Sequence, residues 1–143
     1  MLIRQRFAAD NPTLLDIWLR AVRATHDFIG EADIAELLPQ VRDLYLPAVE
    51  VWVAVDGDDQ PLGFIGLDEN HVEMLFIDPE RRGQGIGTAL LDFLRETRGV
   101  LTVDVNEQNP QAVGFYRHYG FHDTGRSETD GQGRPFPLLH MSL

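Results

Sequence analysis

Two arginines, Arg81 and Arg82, stand directly before a stretch in which glycine recurs at every second position, Gly83, Gly85 and Gly87. The segment reads LFIDPERRGQGIG over residues 75 to 87, with an apolar run before it and amphipathic spacing after it. Glycines let a backbone turn tightly and let a ligand approach with no Cβ in the way. A helix starting near Gly85 offers unpaired N–H groups and the positive end of its dipole. Such an end binds anions, and flanking guanidinium groups add charge-assisted hydrogen bonds. The chemistry indicated is phosphate binding. A plain glycine turn with solvated arginines is the competing reading. The segment is neither a P-loop, since no lysine precedes Thr88, nor a dinucleotide fingerprint, since the third glycine position falls on Thr88 or Leu90.

A second stretch, NPQAVGFYRHYGF over residues 109 to 121, places Asn109, Ala112 or Val113, and Tyr116 on one face of a helix. Phe115 and Tyr119 read as core aromatics, and Gly120 as the helix stop. Two carboxylates fall on strand-like segments, Glu73 in HVEMLFI and Asp104 in LTVDV. Strict alternation puts Glu73, Leu75 and Ile77 on one face, and a carboxylate buried on an apolar strand has its pKa raised. No Ser/His/Asp arrangement is readable. His118 and His122 have i,i+4 spacing, but Gly120 separates them and no third ligand is evident, so no metal site is expected.

Together these two stretches resemble the two cofactor elements of the GCN5-related N-acetyltransferases, the GNAT family. Arg82-x-x-Gly85-x-Gly87 after LFIDP is similar to that family's acyl-CoA pyrophosphate loop, and Asn109 to Phe121 to its second element. Most of the chain is similar to one bacterial subgroup, the YjaB-like acetyltransferases. The resemblance implies acetyl-CoA as cosubstrate. It implies that Leu75, Phe76 and Ile77 line the pantetheine arm, that Arg82, Gly83, Gln84, Gly85, Ile86, Gly87 and Thr88 face the phosphates, and that Asn109 bonds the pantetheine. It points the Tyr116 hydroxyl at the sulfur. When an amine attacks a thioester a thiolate must leave, and a simple thiol has a pKa of about 8.5, so a nearby O–H donor assists its departure. An alkyl ammonium, with a pKa of about 10.4, must first lose a proton. Glu73 is the preferred base, Asp104 its rival and a substrate contact, and an ordered water the third choice. His26 and Phe28, in the region that covers the acceptor site in this family, are candidate substrate contacts. His71 admits both a contact and a packing role.

These residues need elements to hold them. Leu2 to Phe7 alternates as a half-buried strand does, and Asp10 or Asn11 caps a helix with Pro12 in its first turn. ATHDFIGEAD (24 to 33) breaks that helix, and a second follows with Pro39 expected to kink or split it. Strands are expected at 50–55, 62–67 and 71–77, the first two joined by DGDDQP, where Gly57 supplies a positive φ and the aspartates bond their own backbone. A helix from Gly85 to Gly99, a strand at 101–105, a helix at 110–119 and strands from Phe121 and at 137–142 complete the chain. The strands at 71–77 and 101–105, joined by a helical crossover, should be parallel. The fold class is therefore α/β in the α+β sense. The resemblance implies a GNAT fold: a central mixed, mostly antiparallel twisted sheet with one splayed parallel pair and helices on both faces. The expected organisation is one domain, residues 1–143.

The chain has 143 residues and a formal charge of −11, which disfavours nonspecific nucleic-acid binding and favours a cationic substrate. It has no cysteine, hence no disulfide or thiolate chemistry, and no apolar run long enough for a membrane span. The expected protein is cytoplasmic, a monomer or homodimer, with an amine-bearing acceptor as partner. The expected function is acetyl transfer from acetyl-CoA to a primary amine by direct attack in a ternary complex. A noncatalytic acyl-CoA sensor on the same fold is the alternative.

Overall fold

The computed structural model describes residues 1–25 and 29–143. Seven strands form one sheet in the order β1-β2-β3-β4-β5-β7-β6. They are β1 (Leu2–Gln5), β2 (Glu50–Val55), β3 (Pro61–Asp68), β4 (His71–Ile77), β5 (Thr102–Asn106), β6 (His122–Ser127) and β7 (Leu138–Ser142). The helices are α1 (Asn11–Thr25), α2 (Glu31–Gln40), a short α3 (Leu46–Ala48), α4 (Ile86–Arg98) and α5 (Pro110–Tyr119). Among the described residues no helix is long and apolar enough to cross a membrane.

The sheet is mixed. β4 and β5 are its one parallel pair, and they touch at only two registers, His71 with Thr102 and Val72 with Val103, before diverging. The other pairs are antiparallel. Two buried clusters sandwich the sheet. One gathers Ile86, Leu90, Leu91 and Leu94 of α4, with Val113 and Tyr116 of α5, over Val72, Val103 and Val105. The other gathers Leu14, Ile17, Trp18 and Val22 of α1, with Ile34, over Val51, Val53, Val55 and Phe64. Fully burying one such aliphatic side chain contributes about 1.5–3 kcal/mol, so four on α4 alone fix that helix to the sheet.

Several local expectations give way to tertiary structure. β1 stops at Gln5, because a 3-10 turn at Ala8–Asp10 leads into α1, and the Asp10 carboxylate turns back to accept the Phe7 N–H at 2.7 Å. Arg4 binds the same carboxylate at 2.8 and 3.1 Å and, ahead of the Phe7 amide, holds it below the usual carboxylate range. In the β2–β3 turn Asp59, not Gly57, takes the positive φ of 60°. The Asp56 carboxylate organises that turn by accepting from the Asp58 and Gln60 amides at 2.8 and 3.0 Å. Pro39 does not split α2. The helix runs through it and widens at Val41–Tyr45, where the Leu46 N–H reaches back five residues to the Val41 carbonyl. That wide turn lies between Pro39 and Pro47, each of which removes a helical N–H.

Candidate active site

The β4 strand carries a one-residue irregularity with large consequences. Gly66 of β3 opposes Met74, and Leu67 opposes Val72, so Glu73 is an extra, unpaired residue. The bulge reverses the alternation. Val72 packs in the α4–α5 cluster, Met74 in the α1–α2 cluster, and Leu75 and Ile77 return to the α4–α5 side. Strict alternation along the strand therefore breaks at Glu73, since Val72 and Met74, two residues apart, lie on opposite faces. Glu73 is also exposed rather than buried, and it juts out where β4 leaves β5.

A cavity of about 540 Å³ opens at that divergence. Its walls include Leu75, Phe76 and Ile77 of β4, Asp104 of β5, Arg81, Arg82, Gly83 and Gly85 of the glycine segment, Ile86, Gly87 and Thr88 of α4, and Asn109, Ala112 and Tyr116 of α5. Gln84 is exposed and is not among the lining residues. Gly83 and Gly85 have φ of 76° and 75°, and nothing lies within 4 Å of where a Cβ would stand on either. Their conformation requires glycine, and the space beside them is open. Gly87 is different: a Cβ there would meet Phe115 at 3.1 Å, so this glycine also lets α5 pack on α4.

The first helical bond of α4 runs from the Ala89 N–H to the Gly85 carbonyl at 2.9 Å. The amides of Ile86, Gly87 and Thr88 precede it, and Gly85 brings no capping side chain. The segment before the helix is braced from below. Asp78 accepts the Glu80 N–H at 3.0 Å and takes Arg20 of α1 in two bonds of 2.8 and 3.1 Å. The Arg20 guanidinium, above all, holds the Asp78 carboxyl below the usual range. Arg81 and Arg82 form no ion pair among the described residues and line the cavity. The arrangement concentrates three amides and two cations at one end of the cavity, which suits a polyanion.

At the other end, Asn109 caps α5 by accepting the Ala112 N–H at 3.2 Å. Tyr116 is buried, wedged edge-on between Phe115 and Phe121 at centroid distances of 5.2 and 5.3 Å. Burial pushes its phenol well above the ordinary tyrosine value. The phenol therefore stays neutral across the physiological range. Phe115 and Tyr119 pack against the cluster, as core aromatics do, and Phe115 also borders the cavity. Trp18 is core. The candidate contacts His26 and Phe28 lie outside the described residues.

A second cavity, about 690 Å³, lies on the α1–α2 side. Trp18, Val22, Ile29, Leu37 and Val41 make it apolar, while Asp68, Glu73 and Asp130 add carboxylates and Arg134 a cation held by Glu36 at 3.1 Å. Glu73, Met74, Phe76 and Asn106 line both cavities, so the bulged strand is their common wall.

One grouping escapes linear reading. β5–β7–β6 pairing brings Asp104, His140 and Ser127 together: Asp104 Oδ1 to His140 Nδ1 is 2.6 Å, and His140 Nε2 to Ser127 Oγ is 2.6 Å. His71 of β4 adds an Nε2 contact to Asp104 Oδ2 at 3.3 Å. The residues are 23 and 13 positions apart along the chain, and only the register, with Asp104 opposite His140, joins them. The alternation of LTVDV and LLHMS was the available signal, lacking the pairing.

Comparison with known proteins places this geometry. A family model described as "Acetyltransferase (GNAT) domain" matches residues 26–143. The chain is 49% identical over 139 residues to the peptidyl-lysine N-acetyltransferase YjaB of Salmonella typhimurium, covering 97% of this chain and 95% of that protein. The solution structure of apo YjaB from Escherichia coli superposes with a TM-score of 0.92 at 46% identity, over 99% of this chain and 95% of the other. The Salmonella typhimurium protein YncA, solved with its cofactor acetyl-CoA, shares the fold at a TM-score of 0.68 and 22% identity, over 100% and 92% of the two chains. Family match, close relatives and the splayed sheet agree: the chain belongs to the GNAT family and is an acetyltransferase.

Proposed function

We propose that the protein transfers the acetyl group of acetyl-CoA to a primary amine, the side-chain amine of lysine in a peptide or protein, by direct attack in a ternary complex. The observation that carries this reading is the shared wall. Two cavities meet at the bulged Glu73, one leading to unpaired helix amides and Arg82, the other to an apolar slot edged with carboxylates. An anionic cosubstrate suits the first, and a cation on an aliphatic stem suits the second. The close relatives named as peptidyl-lysine N-acetyltransferases support the acceptor class. The acidic balance of the chain favours a cationic acceptor and disfavours nucleic acid as a partner. The same reading takes the cytoplasm as its setting and a single domain, as monomer or homodimer, as the acting unit.

When bound, acetyl-CoA supplies an acetyl group activated as a thioester. In this reading Gly83, Gly85 and the amides of Ile86, Gly87 and Thr88 hold the diphosphate, with Arg82 adding charge. Leu75, Phe76 and Ile77 flank the pantetheine arm, Asn109 borders it, and the divergence of β4 from β5 leaves the β4 backbone near Leu75 available as an oxyanion donor. Tyr116 donates its proton to the departing sulfur. Glu73, at the junction of the two cavities, takes the proton of the amine directly or through water. The test is coenzyme A release with acetyl-CoA and a panel of lysine peptides and small amines. Lysine peptides should give turnover that Glu73→Gln lowers by ~10². Acetyl-CoA binding without turnover on any amine would contradict the reading.

A further inference from the structure

The four-residue grouping around Asp104 lies on the β5 face away from α4 and α5, since Val103 and Val105 point into that cluster. Asp104 borders the cavity that also holds Tyr116 and Leu75, whereas Ser127 borders neither cavity. The Asp104–His140–Ser127 run has the connectivity of a nucleophilic triad, but its serine lies outside both cavities, while its aspartate lines the first. Its meaning lies at the aspartate end.

A carboxylate only accepts hydrogen bonds, so His140 presents its Nδ1–H to Asp104, while His71 Nε2 stands 3.3 Å from the other carboxylate oxygen at ion-pair distance. The far nitrogens face hydroxyls: His140 Nε2 meets Ser127 Oγ at 2.6 Å, and His71 Nδ1 meets Thr102 Oγ1 at 2.7 Å. A hydroxyl serves both protonation states, donating to a bare nitrogen and accepting from a protonated one. The grouping therefore keeps its bonds at charge −1, 0 or +1. The charged or titratable neighbours of Asp104 are His71 from β4 and His140 from β7, with neutral Ser127 from β6 beyond, and Glu73 on the bulge lining the same cavity.

We propose that Asp104 seats the ammonium of the acceptor, and that His71 and His140 are positioning residues that set the charge of this seat. With both rings neutral the seat is anionic and attracts a cation. Each proton taken up by a ring cancels part of that attraction. Imidazole is the side chain whose charge changes between about pH 5 and 8, while an alkyl ammonium stays charged there, so acceptor affinity becomes pH-dependent through the protein and not through the substrate. This inference rests on the amine-acetylation reading above.

Steady-state kinetics of the full chain with acetyl-CoA and a lysine peptide, from about pH 8 to about pH 6, test it. For the unaltered protein the peptide KM should rise ~10-fold as pH falls, with the acetyl-CoA KM steady. The double variant His71→Gln/His140→Gln should show a flat peptide KM. Asp104→Asn should raise the peptide KM ~10-fold at the upper pH and remove its pH dependence, and Asp104→Glu should recover part of the loss. An Asp104→Asn protein with lowered Tm but an unchanged KM and pH profile would make the grouping a structural clamp and overturn the proposal. So would pH dependence that persists in the double variant. Coenzyme A release that responds to none of these variants removes the seat and leaves the transferase reading standing. An unaltered protein that turns over no lysine peptide overturns both.

Discussion

The sheet has two unlike halves. β2 and β3 are covered on both faces, with Val53, Ala54, Phe64 and Ile65 fully buried, and α1 and α4 close over them from opposite sides. β5 and β7 are covered on one face only, and β6 at the sheet edge is exposed along nearly its whole length. Val103, Val105 and Met141 face the α4–α5 cluster, while Asp104, Thr102, His140 and Ser127 stand on the other side, partly or fully open. The first half supplies stability. The second half is left polar and accessible, and the boundary between them, at Glu73 and the splay, is where both cavities lie. The chain concentrates its chemistry where its packing is one-sided.

Truncating the covered half should cost the most. Phe64→Ala removes a ring with no exposure that packs against Phe76 at a centroid distance of 5.9 Å, and should destabilise by about 3–5 kcal/mol in a denaturant titration. The contrasting substitution at the boundary is Tyr116→Phe. It keeps the ring contacts with Phe115 and Phe121, so stability should change little, but turnover should fall by ~10². Because burial raises the phenol above its usual value, turnover of the unaltered protein should show no loss from Tyr116 ionisation up to about pH 10. Turnover unchanged in Tyr116→Phe would remove this residue from the mechanism.

Smaller effects belong to the edges of the covered half. Arg4→Ala strands Asp10, whose carboxylate is nearly buried, and should cost about 1–3 kcal/mol. The sign of its pH dependence follows from the direction of the shift. Asp10 is held low in the folded state, so the stability it contributes is present above the ordinary carboxylate range. That stability is lost as pH falls below about 4 through the depressed value. Arg4→Ala should flatten that acid limb in thermal melts recorded across pH. Smallest of all, Glu69 turns the chain between β3 and β4 at a φ of 53°, and Glu69→Gly should raise stability by up to about 1 kcal/mol.

The two halves also differ in how far the linear sequence discloses them. β4 and α5 were readable to the residue, and the parallel β4–β5 pair followed from the crossover, because periodicity and connection rules act locally. So did the glycine segment, since positive φ at Gly83 and Gly85 is a property of glycine itself. The bulge was not legible. HVEMLFI alternates without flaw on paper, and only its register against Gly66 and Leu67 expels Glu73. The Asp104 grouping stayed hidden for the same reason, since three of its contacts cross strands that are distant in sequence. Gly57 misled because any nearby residue that relieves the turn suffices, and Asp59, held to Arg4 at 2.9 Å, took the positive φ.

The central claim is that the amides opening α4, beside two glycines of positive φ, grip the diphosphate of acetyl-CoA. Calorimetric titration of acetyl-CoA into the folded protein measures it directly, with Gly85→Arg as the matched variant, since an arginine there both opposes the φ of 75° and fills the open space. The account predicts one-to-one binding to the unaltered protein and a loss of ~10² or more in affinity for the variant. Equal affinity in both, or no binding heat with either, would contradict it.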